Sequence, residues 1–166
     1  MVLTMTLALA GVLSGPSAKR SFAAPGPVDP WGLIGVGYWG NQDVSVRYWL
    51  TSRISADIGM GLQINTGAHA YSAHFGANYA LARFNTLLLE GRPEANIFNQ
   101  LGYFGGFGFK FSLLGEWFVP GSDNHLSISA GPGLGIQFTK NSNGESRTVI
   151  TSGRYGMFTG ALHLYF

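Results

Sequence analysis

The chain has 166 residues, room for one domain and hardly two. It has no cysteine, which excludes disulfides, thiolate metal sites, a cysteine nucleophile and a lipid-modified cysteine anchor. Charged residues make up 11%, less than half the usual share of about 25%, and the net charge of +2 is too small and dispersed to mark a nucleic-acid partner.

The other composition figures narrow the class further. Hydrophobic residues are 46% of the chain, aromatic residues 14%, and 25 residues are glycine. Mean hydropathy is only +0.15. No apolar run reaches the roughly 18 residues of a spanning helix. A soluble domain of this size covers itself with charge, and this chain has too little. Low charge without long apolar runs suits a wall of strands that turns every second residue toward lipid, the composition of a membrane β-barrel.

Residues 1–24 read as a secretory signal peptide. Met1 to Gly15 is a short apolar stretch, and Ser21-Phe22-Ala23 is a small-x-small cleavage pattern. Lys19 and Arg20 follow the apolar stretch instead of preceding it, a departure that a translation start further upstream would explain. The competing interpretation is a buried N-terminal helix. Residues 25–31 are rich in proline and glycine and form an extended lead-in.

From Trp31 onward the apolar period is two. In Ile54–Ile64 the even positions are Ile, Ala, Ile, Met, Leu and Ile, and the odd positions are small or polar. Phe107, Phe109, Phe111, Leu113 and Trp117 share one face, against Gly108, Lys110, Ser112 and Glu116. From His125 to Phe138, Leu126, Ile128, Ala130, Leu134, Ile136 and Phe138 alternate with His125, serine, glycine and Gln137. Each pattern describes a strand between two distinct environments. Eight strands are predicted, at about 32–40, 43–51, 53–65, 72–83, 86–98, 104–118, 124–139 and 149–166. Turns near Ser52, Phe84 and Gly121 are tight. The joins at Asn65–Tyr71, Asn99–Tyr103 and Lys140–Thr148 are longer, while Gly40–Asp43 is short. Short turns at one end and longer loops at the other match the asymmetry of outer-membrane barrels.

The non-apolar face carries Arg47, Asp57, Glu90, Arg92, Glu94, Lys110, Glu116 and His163. Three basic and four acidic residues, histidine aside, suit mutual pairing inside a narrow lumen, where a lone charge costs several kcal/mol. Eight strands enclose an interior that side chains just fill, so no open pore is expected. Trp39, Trp49, Tyr79, Phe107, Trp117, Phe118, Phe138, Tyr165 and Phe166 are assigned to the outer face, near strand ends, where aromatic residues prefer the headgroup level; the parity of Trp49 is ambiguous. The alternative for these aromatics is the core of a soluble sandwich or lipocalin-like barrel.

The last residues, Thr159 to Phe166, place Leu162, Leu164 and Phe166 on one face and end in an aromatic. This resembles the C-terminal assembly signal of bacterial outer-membrane barrels, with its usual glycine displaced by one position to Gly160. Together with Val46–Leu50, a tight turn and the Ile54–Ile64 strand, residues 31–166 resemble small eight-stranded outer-membrane β-barrel proteins of the OmpA/OmpX type. The resemblance implies an all-β, antiparallel, up-and-down transmembrane barrel in the bacterial outer membrane. It implies a monomer in contact with outer-membrane lipid and lipopolysaccharide, inserted by the barrel-assembly machinery. No cofactor is expected, and a fold-level match does not fix a function.

Candidate chemistry is sparse. His125-Leu126-Ser127 resembles the His-x-Ser of lipid A deacylases, with Glu116 across a turn as the orienting acid. It lies at the wrong end of the barrel for that role, and no deacylase motif surrounds it. His69 and His74, with Ser72, lie in or near an outer loop and fall short of a zinc ligand set. Gly131-x-Gly133-x-Gly135 lacks the following helix of a phosphate loop. Glu90 and Glu94 read more simply as parts of an ion-pair ladder with Arg92 and Lys110 than as an acid pair. The expected role is structural, or binding through the loops Asn65–Tyr71 and Lys140–Arg154. The alternatives are a lipid-modifying hydrolase and a narrow channel for small apolar molecules.

Overall fold

A computed structural model describes residues 27–39, 43–65, 68–100, 104–151 and 158–166. The strands are β1 (Ile34–Trp39), β2 (Asp43–Trp49), β3 (Ile54–Asn65), β4 (Ala68–Arg83), β5 (Leu87–Gln100), β6 (Phe104–Phe118), β7 (Leu126–Asn141), β8 (Ser146–Thr151) and β9 (Phe158–Tyr165). Each pairs antiparallel with its neighbour in sequence from β1 to β7. β8 and β9 share the last place in the wall. β8 lies on the loop-side part of β7 (Gly135↔Thr151), and β9 on the rest (Leu126↔Leu164). β9 then pairs with β1, from Gly35↔Tyr165 to Trp39↔Ala161, and closes an eight-stranded up-and-down barrel. The signal-peptide reading, residues 1–24, lies outside the described residues.

Side-chain alternation runs along the strands and is inverted relative to a soluble barrel. The inward rows hold buried Arg47, Asp57, Glu90, Arg92, Glu116 and a series of serines. The outward rows are exposed and apolar on every strand, among them Val46, Ile58, Phe75, Phe109, Leu134 and Leu164. Tyr79, Phe107, Trp117, Phe138 and Phe166 face outward as expected. Trp39, Trp49, Phe118 and Tyr165 do not: all four are buried inside. Their strands determine this. A side chain two residues from an inward one is itself inward, and Trp49 follows Arg47, Phe118 follows Glu116, and Tyr165 follows His163.

Three of these aromatics build a floor at the end where the lead-in and the last strand meet. Trp49, Phe118 and Tyr165 pack with Leu88 and with Val28 from the lead-in; Leu33 lies against them. Phe118 and Tyr165 stack, with centroids 5.7 Å apart. The lead-in is held by backbone hydrogen bonds from the Gly32 N–H to the Trp49 carbonyl and from the Trp49 N–H to the Leu33 carbonyl. Trp49→Ala is expected to cost about 3–5 kcal/mol, the usual loss for a buried large aromatic. Chemical unfolding of the detergent-folded protein measures it.

The loop asymmetry is weaker than the sequence suggests. The loop expected at Asn65–Tyr71 is largely strand, because β3 continues to Asn65 and β4 begins at Ala68, with Asn65 opposite Ala68. Residues Lys140 to Thr148 form the tip of a β7–β8 hairpin, turned by Asn141–Glu145 with Gly144 at a positive φ of 85°. Lengthening the strands satisfies backbone groups that a loop would leave to water. Two prolines interrupt the wall. Pro93 has no N–H to donate, and the β4–β5 register passes from Gly76↔Glu94 to Tyr79↔Gly91. Pro132 does the same between β6 and β7, where pairing resumes at Gly115↔Ala130.

Candidate functional site

Asp57 is the hub of the interior. Its Oδ1 accepts from Arg92 Nη2 at 2.6 Å and its Oδ2 from Arg92 Nε at 3.3 Å, a two-pronged pairing that suits the planar guanidinium. Arg47 Nη2 lies 3.5 Å from Oδ2, and Asn78 Nδ2 donates to Oδ2 at 3.2 Å. Arg92 also pairs with Glu94 and sits over the Trp39 ring, 4.0 Å from its centroid. The Trp39 ring meets His163 edge-on at 5.7 Å.

Below this layer, toward the floor, Glu116 collects a second group. Arg47 Nη1 donates to Glu116 Oε2 at 3.0 Å, the Tyr165 hydroxyl to Oε1 at 2.8 Å, and the Ser127 hydroxyl to Oε1 at 2.5 Å. Glu90 joins through Arg47 at 3.8 Å. Above it, Asp43 accepts from the Ser72 hydroxyl at 2.7 Å and meets His74 Nδ1 at 3.2 Å, while His74 Nε2 lies 3.5 Å from Asp57. Lys110 stands opposite Glu94 in the β5–β6 register. Together with Ser72, Asn96 and Gln137 it lines a cleft of about 20 Å³ at the loop side, room for about one water molecule.

Six of the seven interior charges read from the sequence are therefore joined by ion pairs and hydrogen bonds through two arginines, and Lys110 lies beside them. Asp43 and His74 belong to the same interior but escape the sequence reading. The sequence reading puts His74 in or near an outer loop, at the start of a strand predicted from residue 72; β4 begins at Ala68 instead, and His74 lies well inside it, buried, between two carboxylates. The parity of Ser72, His74, Gly76 and Asn78 is the signal that finds it.

The other candidates are separated or occupied. His125 is exposed at the floor-side rim, its Nδ1 2.7 Å from the Tyr165 carbonyl oxygen, while Ser127 is buried on Glu116. The structure thus does not bring His125 and Ser127 together. Gly131, Gly133 and Gly135 are inward positions of β7, and among the described residues no helix follows them. At Gly37, a Cβ would run into the His163 ring, so glycine there makes room for the interior packing. Among the described residues no group of three or more histidines and carboxylates could hold a metal ion. Leu162, Leu164 and Phe166 point outward.

Compared with protein-family models and with curated proteins, the chain matches none. Fold and interior together define a closed antiparallel up-and-down β-barrel with buried charged residues inside and exposed apolar residues on its outer face.

Proposed function

We propose that this chain is an integral outer-membrane β-barrel with a structural or rim-mediated binding role and no open pore. The observation that carries the reading is the inverted distribution of polarity. Arg47, Arg92, Asp57, Glu90 and Glu116 are sealed inside, while large apolar side chains on every strand face out. An apolar girdle of that extent on a monomer in water would drive association, and in hydrocarbon it is the favourable surface. A closed barrel also leaves no unpaired sheet edge around its circumference. The lumen argues for a plugged barrel: the Asp57 and Glu116 groups fill it, and the aromatic floor closes the end where the lead-in docks. The exposed assembly-signal side chains Leu162, Leu164 and Phe166 suit recognition by the barrel-assembly machinery in the outer membrane.

The test is detergent extraction of outer membranes followed by gel migration with and without boiling. A folded barrel shifts on boiling, and planar bilayers containing it show no stepwise conductance. A chain that remains monomeric in plain buffer overturns the membrane reading; steady ion conductance overturns the plugged lumen.

A further inference from the structure

The lead-in crosses the floor of the barrel before it enters the wall. The Leu33 N–H donates to the Pro30 carbonyl at 3.0 Å, closing a turn whose third residue, Gly32, has a positive φ of 78° that glycine adopts without strain. Ahead of this turn Val28 is buried among Trp49 of β2, Leu88 of β5, Phe118 of β6 and Tyr165 of β9. The Asp29 carboxylate accepts from the Trp31 N–H at 3.3 Å, and its Oδ1 lies 3.9 Å from Arg83 Nη2 at the end of β4. Arg83 is turned that way by the register shift at Ala80/Ala82, which sets it opposite the buried Leu88. The four strands around Val28 are far apart in sequence. β2 and β9 flank β1 only once β9 has paired with it, and β5 and β6 face them only across a closed barrel. The β1–β9 seam is also short: five residue pairs among the described residues, against six between β1 and β2 and fourteen between β5 and β6. The socket for Val28 is therefore absent from an open sheet, and the segment that fills it leads directly into the strand that closes the barrel.

We propose that residues 28–33 are a clasp that docks after the barrel has closed and then holds the β1–β9 seam shut. The inference needs the closed barrel alone and stands apart from the membrane reading. Opening the seam draws Tyr165 away from Trp49 and breaks the socket, so release of Val28 and parting of β1 from β9 are coupled. The order of events follows from chain entropy. A contact between Val28 and Tyr165 spans almost the whole described chain, and its closure is repaid only when the strands between them are already in place. Val28 supplies most of the hold, because its side chain leaves water entirely. The Asp29–Arg83 pair is partly exposed and serves to set the direction of the strap across the floor.

The experiment measures refolding and unfolding rates of the full chain in detergent micelles by tryptophan fluorescence. Val28→Ala is expected to speed unfolding about tenfold and to leave refolding unchanged, the pattern of a contact that forms after the transition state. Refolding slowed by the same factor would mean that the lead-in packs before closure, and overturns the proposal. Val36→Cys with Leu164→Cys joins registered partners across the seam, in a chain that has no other cysteine. With that pair oxidised the seam no longer needs holding, and Val28→Ala is expected to change the unfolding rate by less than about twofold. Reducing the pair should restore the larger effect. If the full effect persists in the oxidised protein, Val28 is an ordinary core residue and the clasp is overturned. A Val28→Ala chain that never shifts on boiling, beside a native chain that does, shows that closure itself requires the docked lead-in and overturns it as well.

Discussion

Asp57→Ala should be the most damaging single substitution in the interior, with an expected loss of about 3–5 kcal/mol of unfolding free energy, as for breaking a buried ion pair by removing one partner. Asp57 pairs with Arg92 through two oxygens and also meets Arg47, and all three side chains are fully enclosed. Its removal leaves Arg92 with Glu94 and the Trp39 ring, and leaves Arg47 to Glu116 and Glu90. It also takes an acceptor from Asn78 and a neighbour from His74. Asp57→Asn keeps the shape but gives up the charge, so it should fall between alanine and the native residue. Combining Asp57→Ala with Arg92→Met should recover part of the loss, because a buried pair replaced by apolar groups costs far less than a broken one. Guanidinium unfolding of the micelle-bound protein, followed by tryptophan fluorescence, reads all three variants. A loss below about 1 kcal/mol for Asp57→Ala would mean that the pair behaves like an exposed one and that water reaches the lumen.

Much of this interior can be read from the sequence, because a two-residue period assigns each side chain to a face before any strand is paired. That alternation alone assigns Arg47, Asp57, Glu90, Arg92, Glu94, Lys110 and Glu116 to the non-apolar face, and the structure buries all of them but Lys110, which is half-buried. The same rule assigns Trp49, Phe118 and Tyr165 to the inside, yet their aromatic character and position near strand ends favour the headgroup level. Parity is geometry and the headgroup preference is a tendency, so parity prevails. The register is a different matter. Nothing local says that Arg47 meets Glu116, 69 residues away, or that Glu116 also meets Tyr165, 49 residues on. Those contacts depend on the stagger of all eight strands and on the register shift at Ala80–Ala82. The hairpin ends are misjudged for a related reason. Polar residues such as His69 and Asn141 read as loop, but a strand standing clear of the barrel tolerates them while its backbone stays paired.

The outward face offers the sharper contrast between media. Ile58 sits midway along β3, 61% exposed, between Val46 on β2 and Phe75 on β4. In a bilayer, Ile58→Lys is expected to destabilise the barrel by about 2–4 kcal/mol, the usual penalty for a cationic side chain on the lipid face near the midplane. On a water-facing wall the same exchange stays within about 0.5 kcal/mol. Depth provides an internal control. Leu62→Lys, four residues closer to the rim on the same outward row, should cost only about 0–1 kcal/mol, because the lysine stem carries its charge to the interface. Ile58→Leu should be nearly neutral in either medium. Reversible unfolding from vesicles measures the three variants, and the gradient between residues 58 and 62 carries the conclusion. A soluble barrel has no reason to show one. If both lysines are tolerated equally, the apolar girdle does not face acyl chains, however completely the charges are sealed inside.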